Sequence, residues 1–497
     1  MSGCEAPRRR LRHLILLSAL MLGGPGVSHA ESVPDPHVEP ASGALPGWSD
    51  EVEPFLLGGV QVREPDLDAW VAELDHAGMN TVAVTVYARQ GRWDSDDLTF
   101  NLEEPGIVEE IRAAKQGGMR VVLILRVYLD HALSENRYFW HGMIMPEGDE
   151  EIRGWFRNYG AFVEHWARIA QREGVDVFGL GSELKALTAT LPITRWGSFK
   201  NYHVYMLYQR MLRSRARGFL DELQEQRPWL LGWDRESPLG DYFNDVFAEH
   251  KSWARKAYLR KGARTWRRIN ARRALIRDEW SALIADVREL YGGKLTYAAN
   301  FDNYQNVALW KELDFIGINA YFPLRKLKHE ESDALRKQRF YGTWDWVLGD
   351  IDRFRREQKL PDKPVIFTEL GYTHKQHSTV EPWAYAGFSV LKRPRKELVL
   401  WSHLPPDRTE RRLSVEALRE AWAARGRDVL AGLLYWKLST VAEHEAVEPF
   451  VLHVGRDSDD PLQRELARFL ESASPGRAGA PGGSSADEVA SSSPGRE

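Results

Sequence analysis

Cysteine is almost absent from this 497-residue sequence. The one cysteine, Cys4, lies in an N-terminal segment that reads as a removable leader, so the mature chain carries neither disulfide nor thiol. Thiol nucleophiles and Cys-ligated zinc are thereby excluded. Charge of one sign is not in excess either. A total of 67 Lys and Arg against 71 Asp and Glu gives a net charge of −4, without the basic surface that nucleic acid requires. Beyond the leader no apolar run is long enough to span a membrane. No Gly-x-Gly-x-x-Gly follows an early strand, which argues against an open dinucleotide-binding sheet. No Gly-x-Ser-x-Gly elbow is present. A metal-dependent barrel hydrolase would carry His-x-His on its first strand, where this chain has Gly59-Val60-Gln61. His374, His377 and His444 follow late strands at a spacing that fits no metal motif, so the reading calls for no metal and no cofactor.

The leader itself is well marked. Arg8, Arg9, Arg10 and Arg12 form a basic start, Leu14 to Leu22 an apolar stretch, and Ser28-His29-Ala30 a small-residue cleavage site. Residues 1–30 are therefore expected to be a signal peptide and the protein to be exported, periplasmic or extracellular, with no stable membrane insertion after cleavage. An uncleaved anchor is the alternative. No Cys follows the apolar stretch, so a lipid anchor is not expected. Residues 31–50, rich in Pro, Ser and Gly, read as a linker. Residues 473–497 bury too little apolar surface to offset their ordering entropy and are expected to be disordered.

Between these ends the sequence is rich in apolar residues, at 43%, and unusually rich in tryptophan, with 19, most of them read as core. Eight short apolar runs recur at Phe55–Val62, Thr81–Tyr87, Arg120–Tyr128, Val175–Gly181, Lys294–Ala299, Asp314–Tyr321, Pro364–Glu369 and Gly432–Leu438. Few charges interrupt them, which is how a strand buried on both faces reads. Helical patterns separate them, clearest at Asp66–Ala77, with Leu67, Trp70, Val71 and Leu74 on one face, and at Ile152–Gln171. The alternation predicts an α/β fold, a (β/α)8 barrel over residues 51–472. One connection is abnormally long. Residues 188–277, helical in pattern and dense in arginine from Arg255 to Arg273, are read as a large helical insertion after strand four, before a barrel helix at about Asp278–Tyr291. It serves either as a cleft wall or as a solvated excursion with no substrate role.

In such a barrel the reactive groups come from the C-terminal ends of the strands. Two glutamates stand there. Phe178-Gly179-Leu180-Gly181-Ser182 runs into Glu183 at the end of strand four, and Pro364-Val365-Ile366-Phe367-Thr368 into Glu369 at the end of strand seven. Strands four and seven face each other across a barrel mouth. A carboxylic acid opposite a carboxylate is what glycoside hydrolysis needs: one protonates the leaving oxygen, the other attacks or stabilises the oxocarbenium-like carbon. The acid needs a raised pKa, from burial or from the neighbouring negative charge.

An acid on strand four and a nucleophile on strand seven resemble the clan A glycoside hydrolases, which retain anomeric configuration. Within the clan the chain resembles glycoside hydrolase family 113, whose characterised members are β-mannanases. The likeness is carried by Phe139 to Ile144, by Trp155-Phe156 with Tyr159 and Phe162, and by Phe178 to Leu184. It continues through Tyr297 to Asp302, Phe315 to Pro323, and Phe367 to Tyr372. It covers about residues 53–186 and 290–445. The resemblance implies that Glu183 is the general acid/base and Glu369 the nucleophile. It further implies that Tyr321 hydrogen-bonds Glu369, and that Trp436 on strand eight stacks beneath the sugar on the glycone side. The chain departs from the clan at two places. Ser182 stands where most members carry an Asn that holds the sugar 2-hydroxyl, and Leu125-Arg126-Val127-Tyr128-Leu129-Asp130 replaces a Lys-Pro-His-type segment. Ser182, Arg126, Asp130, Trp140 and Asp302 are further candidates for substrate contact. The expected activity is that of an endo-acting, retaining hydrolase of a β-linked polysaccharide or oligosaccharide, mannan first. The alternatives are another glycan, such as cell-wall material, or a catalytically silent barrel that binds a glycan or a protein.

Overall fold

Eight parallel strands follow one another around the chain: β1 Leu56–Gln61, β2 Thr81–Gln90, β3 Arg120–Leu129, β4 Val177–Ser182, β5 Lys294–Asn300, β6 Ile316–Asn319, β7 Val365–Leu370 and β8 Leu430–Ser439. Each pairs with the next in order, and β1 pairs with both β2 and β8, so the sheet closes on itself. In this computed structural model the described residues are 55–473, apart from 63, 101–103, 134–135, 137–139, 147, 189–261, 326–331, 381, 384–389, 393–397, 401–404 and 426–427. The expected leader and linker, the tail beyond 473 and most of the expected insertion lie outside them.

The strands form for the reason their composition gives. Both faces are buried, so the inner face needs apolar side chains as much as the outer one. Leu56, Val60, Ala83, Val122, Ile124, Val177, Ala298, Phe315, Ile366 and Leu434 fill the barrel interior, and Trp436 packs on them from the mouth. Each Leu, Val, Ile or Phe among them, fully buried, contributes about 1.5–3 kcal/mol. Closure brings β1 and β2 so near that a Cβ at Gly58 would lie 1.6 Å from the Thr81 carbonyl oxygen, and only glycine fits.

Helices α1 Leu67–His76, α2 Glu104–Gln116, α3 Asp149–Arg172, α4 Gly262–Leu290, α5 Asp333–Glu357, α6 Arg408–Arg425 and α7 Pro461–Ala473 cover the outside. Asp66 caps α1 by accepting from the Ala69 N–H at 2.9 Å, and Trp70, Val71 and Leu74 face inward. Aromatic rings knit α3 to α4: Trp155 stacks on Tyr159 at 4.5 Å, and Trp280 meets Phe156 edge-on at 5.4 Å. Two details depart from the sequence reading. Between β5 and β6 the described chain makes short 3-10 turns at Tyr304–Asn306 and Leu309–Lys311 instead of an α-helix. The barrel helix expected at 278–291 begins at Gly262, so residues 262–277 continue that helix. Its arginines are not all solvated: Arg272 donates to the Pro146 carbonyl at 3.0 Å, and Arg273 is buried.

Candidate active site

Four buried strand residues, Val365 to Thr368, deliver Glu369 to the mouth of the barrel, with the side chain 3% exposed. Its neighbours come from facing strands. Register pairs Glu369 with Asn319 on β6, and the Asn319 amide donates to Glu369 Oε1 at 2.8 Å. Two residues on, where strand periodicity returns to the same face, the Tyr321 hydroxyl donates to Oε2 at 2.6 Å. Arg126, from β3, ion-pairs with Oε1. The Thr368 hydroxyl donates to Asn319 Oδ1 at 2.8 Å, which turns the amide nitrogen toward the carboxylate. On β8, Trp436 is half-buried, with the Arg126 guanidinium and the Lys437 ammonium each 4.8 Å from its ring centroid. A Cβ at Gly371 would come 2.5 Å from the Trp436 carbonyl oxygen, so a glycine is required immediately after the Glu369-Leu370 strand end.

Glu183 is held differently. It stands one residue past β4 with φ +55°, a left-handed backbone that costs a non-glycine residue on the order of 1–3 kcal/mol. The surrounding structure fixes that turn. The Glu183 N–H donates to the Ala298 carbonyl at 2.9 Å, the Leu184 N–H to the Tyr297 hydroxyl at 2.7 Å, and the Trp280 indole N–H to the Leu187 carbonyl at 2.7 Å. The carboxylate meets His141 Nε2 at 3.1 Å through Oε2, and accepts from the Asn300 amide at 3.1 Å through Oε1. His141 belongs to the turn His141–Met143, and Trp140 packs against its ring at 5.0 Å, edge to face. A Cβ at Gly142 would lie 2.2 Å from the Trp140 ring, so the tight packing of this turn depends on the glycine.

The Glu183 charge reaches Glu369 across the mouth. Burial pushes Glu369 up, and the Glu183 charge adds to it; Arg126 and the Tyr321 hydrogen bond pull it down without cancelling the rise. Burial also pushes Glu183 up, but the His141 hydrogen bond and charge, then Arg126 and the Asn319 amide, outweigh burial and leave it lowered. Burial and the Glu369 charge raise the Tyr321 hydroxyl far above the usual phenol range, so it stays a donor.

The sequence candidates divide into those at the carboxylates and those around them. Arg126, Tyr321 and Trp436 converge at Glu369. Ser182 is fully buried, and its hydroxyl accepts from Asn319 at 3.3 Å. Trp140 acts on Glu183 through His141. Asp130 pairs with Arg89 at 2.7 Å, and Asp302 with Lys185 at 2.5 Å, both at the rim. His141, Asn300 and Asn319 were not singled out from sequence. Asn300 and Asn319 end β5 and β6, a position that sequence reading can flag, but His141 sits in a loop with no periodic signal. The late histidines are engaged apart from one another. His377 Nδ1 meets Arg325 at 2.8 Å, His444 Nδ1 meets Ser439 at 2.7 Å, and burial holds His374 down at about 4. Among the described residues no group of three or more His, Cys, Asp or Glu is placed to hold a metal ion.

The sequence profile of Glycoside Hydrolase Family 113 matches residues 61–199 and 269–396, more than half of the chain. Among solved structures the chain is similar to a GH113 β-1,4-mannanase, at 17% identity over 84% of this chain and 99% of that one, with a TM-score of 0.51. It is similar as well to the GH113 β-mannanase AaManA from Alicyclobacillus acidocaldarius, at 15% identity over 85% and 98%, with a TM-score of 0.51. At these identities the likeness is one of fold. No curated protein matches the chain.

Proposed function

The chain belongs to glycoside hydrolase family 113, and on that premise we propose that it cleaves β-linked mannan-type polysaccharide with retention of configuration. Glu369 is the nucleophile and Glu183 the acid/base. The observation that carries this reading is a pair of buried carboxylates at the ends of β4 and β7, Glu183 held by His141 and Asn300, and Glu369 by Arg126, Asn319 and Tyr321. Two carboxyls on β4 and β7 supply the acid and the nucleophile that double displacement needs, which retaining enzymes hold about 5–5.5 Å apart. Glu183 protonates the glycosidic oxygen as Glu369 attacks the anomeric carbon, and the leaving sugar departs with the proton. Glu183 then takes a proton from water, which displaces Glu369 from the glycosyl-enzyme. Arg126, Asn319 and Tyr321 keep Glu369 ionised and aimed, and Trp436 supports the glycone sugar. The mannanase names borne by the structurally similar proteins favour mannan. An exported protein, as the N-terminal segment suggests, would meet such polymers.

A mechanism-based fluoroglycoside tests the reading directly. The expected result is covalent attachment at Glu369, together with retained anomeric configuration in the products released from β-mannan. No attachment under saturating label, or inverted products, would overturn it. A panel of β-linked polysaccharides assayed by new reducing ends decides the sugar; faster release from another glycan than from mannan would replace mannan as substrate.

A further inference from the structure

Tryptophan is nearly always buried here, and Trp383 is an exception with a specific address. Among the described residues the exposed tryptophans are Trp346, on the outer helix α5, and Trp383, in the segment after β7. Trp383 is 50% exposed. One face is covered: it stacks on Phe301 at 5.4 Å and 15°. Phe301 in turn meets Phe322 edge-on at 5.4 Å. These phenylalanines have informative chain neighbours. Phe301 directly follows Asn300, which holds Glu183, and Phe322 directly follows Tyr321, which holds Glu369. The Phe301–Phe322 pair therefore lies on the β5–β6 side of both carboxylates, and Trp383 stands on it.

Barrel order says which part of a substrate that side receives. A line from β4 to β7, the strands of Glu183 and Glu369, divides the mouth in two. Trp436 on β8 and Arg126 on β3 lie on one side, and β5 and β6 on the other. With the glycone sugar on Trp436, the departing part of the chain extends over β5 and β6, past Phe301 and Trp383. The Lys185–Asp302 ion pair, at 2.5 Å beside Phe301, adds polar groups of the kind sugar hydroxyls bond. A pyranose has an apolar C–H face and a polar rim, which matches a half-exposed indole next to an ion pair.

We propose that Trp383, backed by Phe301, is a stacking platform for a pyranose on the leaving-group side of the cleaved bond. The proposal rests on the glycosidase reading for its direction, and the test separates the two. A glycosyl fluoride has no sugar on the leaving side, whereas a manno-oligosaccharide does. With Trp383→Ala in the full chain, kcat/KM for the oligosaccharide is expected to fall about threefold to tenfold relative to kcat/KM for the fluoride, and Trp383→Phe to recover part of that ratio. An unchanged ratio, whether neither substrate or both lose equally, overturns the platform. If the unmodified chain hydrolyses neither substrate, the glycosidase reading fails. Calorimetric titration with manno-oligosaccharide then decides the platform separately: binding to Glu369→Gln weakened severalfold by adding Trp383→Ala supports it, and equal or absent binding overturns it.

Discussion

Glu369 and Glu183 share one barrel mouth and differ in what holds them. Glu369 lies within a strand, and its partners Arg126, Asn319 and Tyr321 come from β3 and from β6 with the residues just beyond it. Strand register fixes them, and none of the three changes charge near neutral pH. Glu183 lies beyond its strand in a left-handed backbone, and its partners are a turn histidine and the last residue of β5. The first arrangement suits a carboxylate that must stay ionised and in place. The second holds its carboxylate from a turn and a strand end.

The largest effects test the division of labour. Glu369→Gln removes the nucleophile and is expected to lower kcat about 10⁴-fold or more on any sugar substrate. Glu183→Gln is expected to lower kcat/KM about 10²–10⁴-fold on a polysaccharide, whose leaving group needs the proton, and far less on a glycosyl fluoride, whose leaving group does not. Steady-state kinetics on both substrates reads this, and equal losses at Glu183 would abolish its assignment as the acid. Tyr321→Phe removes a charge-assisted donor and should lower kcat/KM about tenfold to a hundredfold while circular dichroism reports an unchanged fold.

His141→Gln sharpens the comparison on the Glu183 side. It keeps a hydrogen-bond donor and removes the charge. His141 lowers Glu183, so its loss lets burial raise that carboxyl. The acid then holds its proton to higher pH, and the alkaline limb of the kcat/KM profile should move upward. A limb that stays put, or moves down, breaks the proposed coupling. The smallest effect belongs to Ser182→Ala. The side chain is buried and accepts one long bond from Asn319, which keeps its stronger bond to Glu369. A loss below about threefold is expected; a hundredfold loss would mean that Ser182 touches the sugar after all.

Much of this could be read without a structure, and the reason differs from residue to residue. The strand runs predicted at Thr81–Tyr87 and Arg120–Tyr128 appear as Thr81–Gln90 and Arg120–Leu129, because a doubly buried strand must be continuously apolar. Glu183 and Glu369 stood out because a carboxylate directly after such a run needs an explanation. Asn319 was passed over because an amide at a strand end is unremarkable until register places it opposite Glu369. The helix expected at about 278–291 runs from Gly262 to Leu290, and Arg273 in its added part is buried.

Local sequence therefore determined the periodic elements, their order and the carboxylates at their ends, because burial on both faces and strand alternation are written residue by residue. Only the closed barrel decided what surrounds those carboxylates. Arg126 lies 243 residues from Glu369, and His141 lies 42 from Glu183. Contacts at such separations depend on strand order and register, not on any local pattern. The same physics puts Trp383 beside Phe301.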